Sequence, residues 1–105
     1  MDKPVRFVRI YFSETDRGPR GTLKEYLFEH LRRTHQVHGV TVFRGIEGFG
    51  QSGESHASDL LRLSANLPLV LEFFDAPERV EIALQDIRPL IKPGHLVSWD
   101  AFCNC

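Results

Sequence analysis

Two helix-patterned segments each stand between a pair of strand-patterned runs, and that order constrains the fold more than any single motif. Thr22 precedes Glu25 by three residues, the spacing of a capping box. Leu23, Tyr26, Leu27, His30 and Leu31 then recur at helical intervals, which predicts a helix to about Gln36 with Gly39 at its exit. Asp75-Ala76-Pro77-Glu78 reads as the entry to a second helix, because a proline in the first turn sacrifices an N–H that has no partner there. Its apolar stripe is Val80, Ala83, Leu84, Ile87, Leu90 and Ile91. Pro89 is predicted to bend or end it early, and Lys92-Pro93-Gly94 to stop it.

The runs around these helices are Val5–Phe12, Val40–Glu47, Leu67–Phe74 and Leu96–Phe102. The first has Val8, Ile10 and Phe12 on one face and Val5, Phe7 and Tyr11 on the other, each face interrupted by one arginine, Arg6 or Arg9. Ser13–Gly21, with Asp16, Gly18, Pro19 and Gly21, is a loop. Ser58–Leu63 is too short for periodicity to separate a helical turn from a strand extension. The order strand, helix, strand, strand, helix, strand predicts an α+β fold. It is the ferredoxin-like βαββαβ sandwich, an antiparallel sheet with both helices on one face, built as one domain over residues 1–105. Val5, Phe7, Phe43, Phe73 and Trp99 are then expected on the open face, where association between copies would cover them.

Length and charge narrow the function classes. A chain of 105 residues holds one domain, and a formal charge of −1 with scattered Lys and Arg gives no basis for a nucleic-acid surface. No apolar run reaches the length of a bilayer span, and Met1-Asp2-Lys3-Pro4 leads straight into a strand, so a cytoplasmic location is expected. No serine sits on a nucleophile elbow and no Cys–His pair lies within the core pattern, so no enzymatic activity is expected.

The stretch Val40–Gly50 carries the candidate site. It begins as an alternating β-branched strand, ends in Gly48-Phe49-Gly50 and opens onto a long polar loop. A glycine elbow of this kind lets backbone N–H groups approach an anionic ligand, or simply reverses the chain. Arg44, on the face of its strand opposite Glu47, offers a planar fork for phosphate or carboxylate, and equally suits an intersubunit ion pair; the same holds for Arg62. His56, beside Glu54 and Ser58, is a hydrogen-bonding loop histidine or a solvated one.

The segment Gly39-Val-Thr-Val-Phe-Arg-Gly-Ile-Glu-Gly-Phe-Gly50, followed by His56, Leu60-Leu-Arg-Leu-Ser64 and Leu67-Pro-Leu-Val70, resembles domain-of-unknown-function family 190, which is PII-like. The arrangement Gly-x-Thr-Val, four residues, Gly-Phe-Gly is similar to the end of the second strand in PII signalling proteins. The resemblance implies a homotrimer with a nucleotide, an adenine nucleotide foremost, held in clefts between neighbours and no other cofactor. Gly48, Phe49, Gly50 and Gln51 would line one side, and Lys92, Pro93, Gly94 and His95 the other. Residues 51–66 would correspond to the mobile T-loop, which docks on a partner such as a membrane transporter or channel.

Three departures argue against an ordinary nitrogen sensor. Lys92-Pro-Gly-His95 stands where PII proteins carry a longer Thr-Gly-x-x-Gly-Asp-Gly-Lys phosphate grip. Leu69 stands where they carry the lysine that helps hold 2-oxoglutarate. No tyrosine lies between Gly50 and Leu67.

A different ligand chemistry is suggested by His30, His35 and His38 at the end of the first helix and by Cys103 and Cys105. Imidazole and thiolate suit zinc or copper, so the alternative function is a metal-binding trimer of the same fold that uses the cysteines and a histidine. A reactive thiol tail is the plainer reading of the cysteines.

Overall fold

A computed structural model of the chain describes residues 1–49, 55–57 (backbone only) and 66–105. The elements are β1 (Lys3–Ser13), α1 (Leu23–Glu29) continued by a π-helical turn (His30–Thr34), β2 (Val40–Arg44), β3 (Glu47–Phe49), β4 (Ser55–Ala57), β5 (Pro68–Asp75), α2 (Pro77–Ile87) with a 3-10 turn (Arg88–Leu90), and β6 (Leu96–Cys103). Four strands form an antiparallel sheet in the order β2-β5-β1-β6, and β3 and β4 form a separate two-stranded ribbon. This is the ferredoxin-like sandwich expected from the element order.

Alternation along the strands decides which residues meet the helices. Val8, Ile10 and Phe12 of β1 and Leu69, Leu71 and Phe73 of β5 face Leu23, Leu27 and Leu31 from the first helix and its π turn. Val80, Ala83, Leu84 and Ile87 of α2 complete this single core. The register pairs Val8 with Phe73, which puts Phe73, only 1% exposed, under the helices. The expected open-face position of Phe73 is therefore corrected to Phe74, the partner of Phe7. A one-residue change of parity moves a side chain through the sheet.

Helix boundaries follow local chemistry. The Thr22 hydroxyl accepts from Glu25 N at 3.2 Å, as the capping pattern predicts. Pro77 occupies the first turn of α2, and Pro89 lies in the 3-10 turn that ends it. The first helix does not use Gly39 as its exit. Gln36 takes the left-handed backbone (φ 50°), and Arg79 donates to the carbonyls of His35 and Gln36 at 2.9 and 2.8 Å. No helix among the described residues is long and apolar enough to cross a membrane.

The open face carries a contiguous aromatic patch. Phe7 stacks on Trp99 at 4.6 Å between centroids and on Phe74 at 5.8 Å. Arg9 lies over the Trp99 ring and pairs with Glu72, yet its Nε is enclosed with no acceptor among the described residues. Trp99 remains 40% exposed and Phe43 51%, whereas Val5, also expected on this face, is already buried within the chain.

Candidate functional site

The strand expected to run to Glu47 breaks at Gly45. Its N–H donates to the Pro68 carbonyl at 2.8 Å, and a Cβ on Gly45 would stand 2.9 Å from Pro68 Cγ. No other residue fits this approach without displacing the proline ring. A Cβ on Gly48 would meet the same ring at an ordinary 3.4 Å, so the close approach belongs to Gly45. The signal was in the sequence: an isolated glycine inside a strand pattern marks a bulge or a close backbone contact. After this break, β3 leaves the main sheet and pairs with β4, Gly48 opposite His56 and Phe49 opposite Ser55. The elbow is thus the foot of a two-stranded ribbon.

The opposite wall is the turn Lys92-Pro93-Gly94-His95. His95 N donates to the Lys92 carbonyl at 3.1 Å, and Gly94 has φ 86°. Proline second and a left-handed glycine third are the requirements of a type II turn. The turn is locked to β1, since Tyr11 N donates to the His95 carbonyl at 2.8 Å. His95 Nδ1 in turn lies 2.9 Å from the Tyr11 carbonyl, to which it donates, a second tie between the turn and β1.

Between these walls lies a cleft of about 850 Å³. Gly48 and Phe49 line it from the ribbon and Lys92, Pro93 and His95 from the turn, while Tyr11, Asp16 and Pro68 form its floor. Its size falls in the range of small-ligand sites, roughly 300–1,000 Å³. The Asp16 carboxylate is held by Ser13 N at 3.0 Å, and the Asp16 carbonyl accepts from Leu23 N at 2.8 Å, so the floor is tied to the start of α1. Phe49 is 80% exposed, an apolar side chain at the cleft mouth.

The expected residues divide into three groups. Gly48, Phe49 and Lys92 come together in the cleft, with Gly94 shaping the turn behind Lys92. Gly50 and Gln51 lie outside the described residues, as do the His56 side chain, Glu54, Arg62 and the undecided segment Ser58–Leu63; of the T-loop-like segment 51–66, only the 55–57 backbone and Asn66 are described. Arg44 does not face the cleft. It points to the helix side of β2, pairs with Glu14 at 2.5 Å, and lines a second groove of about 600 Å³ with Thr22, Glu25 and Phe28. Of the two readings of Arg44, the geometry gives an ion pair, and one within the chain. Tyr11, Asp16, Gly45, Glu47 and Pro68 were missed, because a cleft built from four separate segments has no local sequence pattern.

Cys103 is the last residue of β6 and Cys105 lies beyond the strand. Cys103 pairs with Lys3 across the sheet, and its thiol is pushed up by a hydrogen bond with Cys105 and by burial, which suppresses the thiolate that a reactive or metal-binding cysteine needs. Among the described residues the group of side chains that could hold a metal contains neither cysteine.

Comparison with known proteins agrees with this architecture. Residues 5–102 match domain-of-unknown-function family 190, described as "Uncharacterized ACR". The UPF0166 protein MJ1524 of Methanocaldococcus jannaschii is 30% identical over 93 residues, 89% of this chain and 84% of the relative. A UPF0166 protein of Aquifex aeolicus is 31% identical over 83 residues, 79% of this chain and 78% of its own. Among solved structures, CPII from Thiomonas intermedia K12, a nitrogen regulatory PII-like protein bound to ADP, AMP and bicarbonate, superposes with a TM-score of 0.75. The match covers 100% of this chain and 92% of CPII at 17% identity, a likeness of fold. With the family matched from β1 to β6, and a relative this similar over most of both chains, the protein belongs to domain-of-unknown-function family 190 and has the PII-like fold.

Proposed function

We propose that the protein is a PII-like regulator that binds an adenine nucleotide in the cleft between the ribbon foot and the Lys92 turn. The observation that carries this reading is the convergence of Gly48, Phe49 and Lys92, from distant parts of the chain, on one cleft of about 850 Å³. The apolar and aromatic surfaces of Tyr11, Phe49 and Pro93 suit a base. The Lys92 ammonium and the backbone N–H groups of the ribbon foot suit phosphate. Among the described residues Lys92 is the one Lys or Arg that lines the cleft, and Glu47 and Asp16 line it too, a charge balance that suits a mono- or diphosphate. CPII, which shares the fold, is described as bound to ADP and AMP.

The working unit in this reading is a homotrimer. The stacked Phe7, Trp99 and Phe74, with Trp99 still 40% exposed, support it, since a neighbouring sheet would cover the rings. Ligand contacts at the ribbon foot then select one arrangement of residues 51–66, which present it to a partner such as a membrane transporter or channel. Calorimetric titration of AMP, ADP and ATP tests the nucleotide. One ADP or AMP per chain, bound more weakly by Lys92→Ala, is expected. Absence of heat for all three and for cyclic dinucleotides, with no change in protease sensitivity of the 51–66 segment, refutes it.

A further inference from the structure

His30 and His35 are five residues apart, a spacing that places two side chains on different faces of an α-helix, since five steps turn it by about 500°. The chain removes that divergence by widening. His30–Thr34 is a π-helical turn, closed by His35 N donating to the His30 carbonyl at 3.2 Å, and the two rings stand edge to face with centroids 5.1 Å apart. Turns of this kind cost hydrogen-bond geometry and recur at functional sites. Both Nε2 atoms are aimed across to α2, where they meet the same oxygen, Asp86 Oδ2, at hydrogen-bonding distance from His30 and at 2.8 Å from His35. His38, the third histidine of the cluster, turns away and packs its ring against Phe74.

We propose that His30, His35 and Asp86 form a three-ligand site for a borderline transition-metal dication, zinc foremost, that fastens the π turn to α2. The donor set is two imidazole nitrogens and one carboxylate oxygen, all within 4.8 Å of one another. That is the three-protein-ligand pattern that leaves a fourth position open. Bonds of about 2.0–2.2 Å in a tetrahedral arrangement set ligand atoms about 3.3 Å apart. Both nitrogens must therefore draw back from Asp86 Oδ2 to admit the ion, His35 Nε2 by about half an ångström and His30 Nε2 by about twice that.

The surroundings already orient the ligands. Thr34 Oγ1 lies 3.3 Å from His30 Nδ1, an outer contact that fixes the ring and leaves Nε2 as the metal-facing nitrogen. Tyr26 stacks on the other side of His30 at 5.1 Å. Arg79 holds the backbone of His35 and Gln36 from α2. Asp86 stands in the last turn of α2, where the helix dipole disfavours a carboxylate unless a cation faces it.

Tag-free protein titrated with Zn²⁺, and separately with Co²⁺ as a spectroscopic probe, tests the site. The expected result is one Zn²⁺ per chain and a visible Co²⁺ ligand-field band of low-symmetry four-coordination. Asp86→Asn and His35→Gln, checked for folding by circular dichroism, should each weaken Zn²⁺ by at least the roughly tenfold that even an outer-shell loss causes. Cys103→Ser with Cys105→Ser should leave affinity and band unchanged. Three results would overturn the assignment: no Zn²⁺ bound at micromolar concentration, full affinity in both ligand variants, or loss of binding in the cysteine variant.

Discussion

Replacing Gly45 with alanine is expected to destabilise the protein by about 1–3 kcal/mol, the usual result of forcing atoms into a packed site. The new Cβ would stand 2.9 Å from Pro68 Cγ, about half an ångström inside the 3.4 Å at which ordinary contact begins. Relief by rotation is not available, because the clashing atom belongs to a closed ring and the Pro68 carbonyl is bound to Gly45 N. Pro68 also opens β5 opposite Ser13, so the displacement must be shared between strands. Two other glycines calibrate the effect. Gly39 has open space and no left-handed backbone, so Gly39→Ala should stabilise by about 0.4–1 kcal/mol through the unfolded chain. Gly21 also has open space but φ 75°, so Gly21→Ala should cost about 1–2 kcal/mol by strain alone. Urea unfolding at one fixed protomer concentration reads all three. With a slope of about 2 kcal/mol per molar, Gly45→Ala should lower the midpoint by roughly 0.5–1.5 M and Gly39→Ala should raise it slightly. If the midpoints of Gly45→Ala and Gly39→Ala move together, the Pro68 contact does not constrain the break that forms the ribbon foot.

Other perturbations reach the remaining features. Lys92→Ala should weaken ADP about tenfold, the loss of one charged hydrogen bond at an open site, with no change in unfolding midpoint; equal affinity would remove Lys92 from the phosphate role. Trp99→Glu puts a charge into the Phe7–Trp99 stack and should shift the protein toward monomer in sedimentation velocity, while retained assembly would locate the interface elsewhere. The Asp86 carboxyl is held below its ordinary value of 3.8 by hydrogen bonds from His30 and then His35. Its contribution is therefore present above that value and lost as pH falls through the depressed one, so Asp86→Asn should flatten the acid limb of stability against pH. Cys105→Ala removes the hydrogen bond that raises the Cys103 thiol, and should speed alkylation of Cys103 at mildly alkaline pH.

The scaffold was legible because its signals are local. A capping threonine, a proline in a first turn and apolar positions at 3.6 or 2 residue intervals each act within a few residues. They gave the element order, and the element order gave the sheet. Phe73 shows where that reach ends. Which of two neighbouring phenylalanines lies under the helices depends on the pairing of β5 with β1, about sixty residues away, and neither face of β5 is polar enough to decide it. The site was half legible for a related reason. Gly48 and Phe49 were marked by the glycine elbow and Lys92 by the resemblance to the PII-like family, whereas Tyr11 and Asp16 reach the cleft only through the fold. Arg44 looked like a ligand because its strand leads to the elbow, but parity turned it toward Glu14. The convergence of His30 and His35 was hidden most thoroughly, since a π turn has no sequence signature and periodicity places the two residues apart.

The position of β1 inside the sheet has a consequence for how the protein is made. Its two neighbours are β5 and β6, so its pairings span separations from Ser13↔Pro68 to Lys3↔Cys103. A ribosome therefore releases Phe7, Val8 and Ile10 long before any strand exists to cover them, and both hydrogen-bonding edges of β1 stay open through most of translation. The first helix and β2 emerge in that interval without a sheet to pack on. The sheet therefore cannot close until β5 is present and is completed only by β6, so β1 depends on pairings formed late in synthesis.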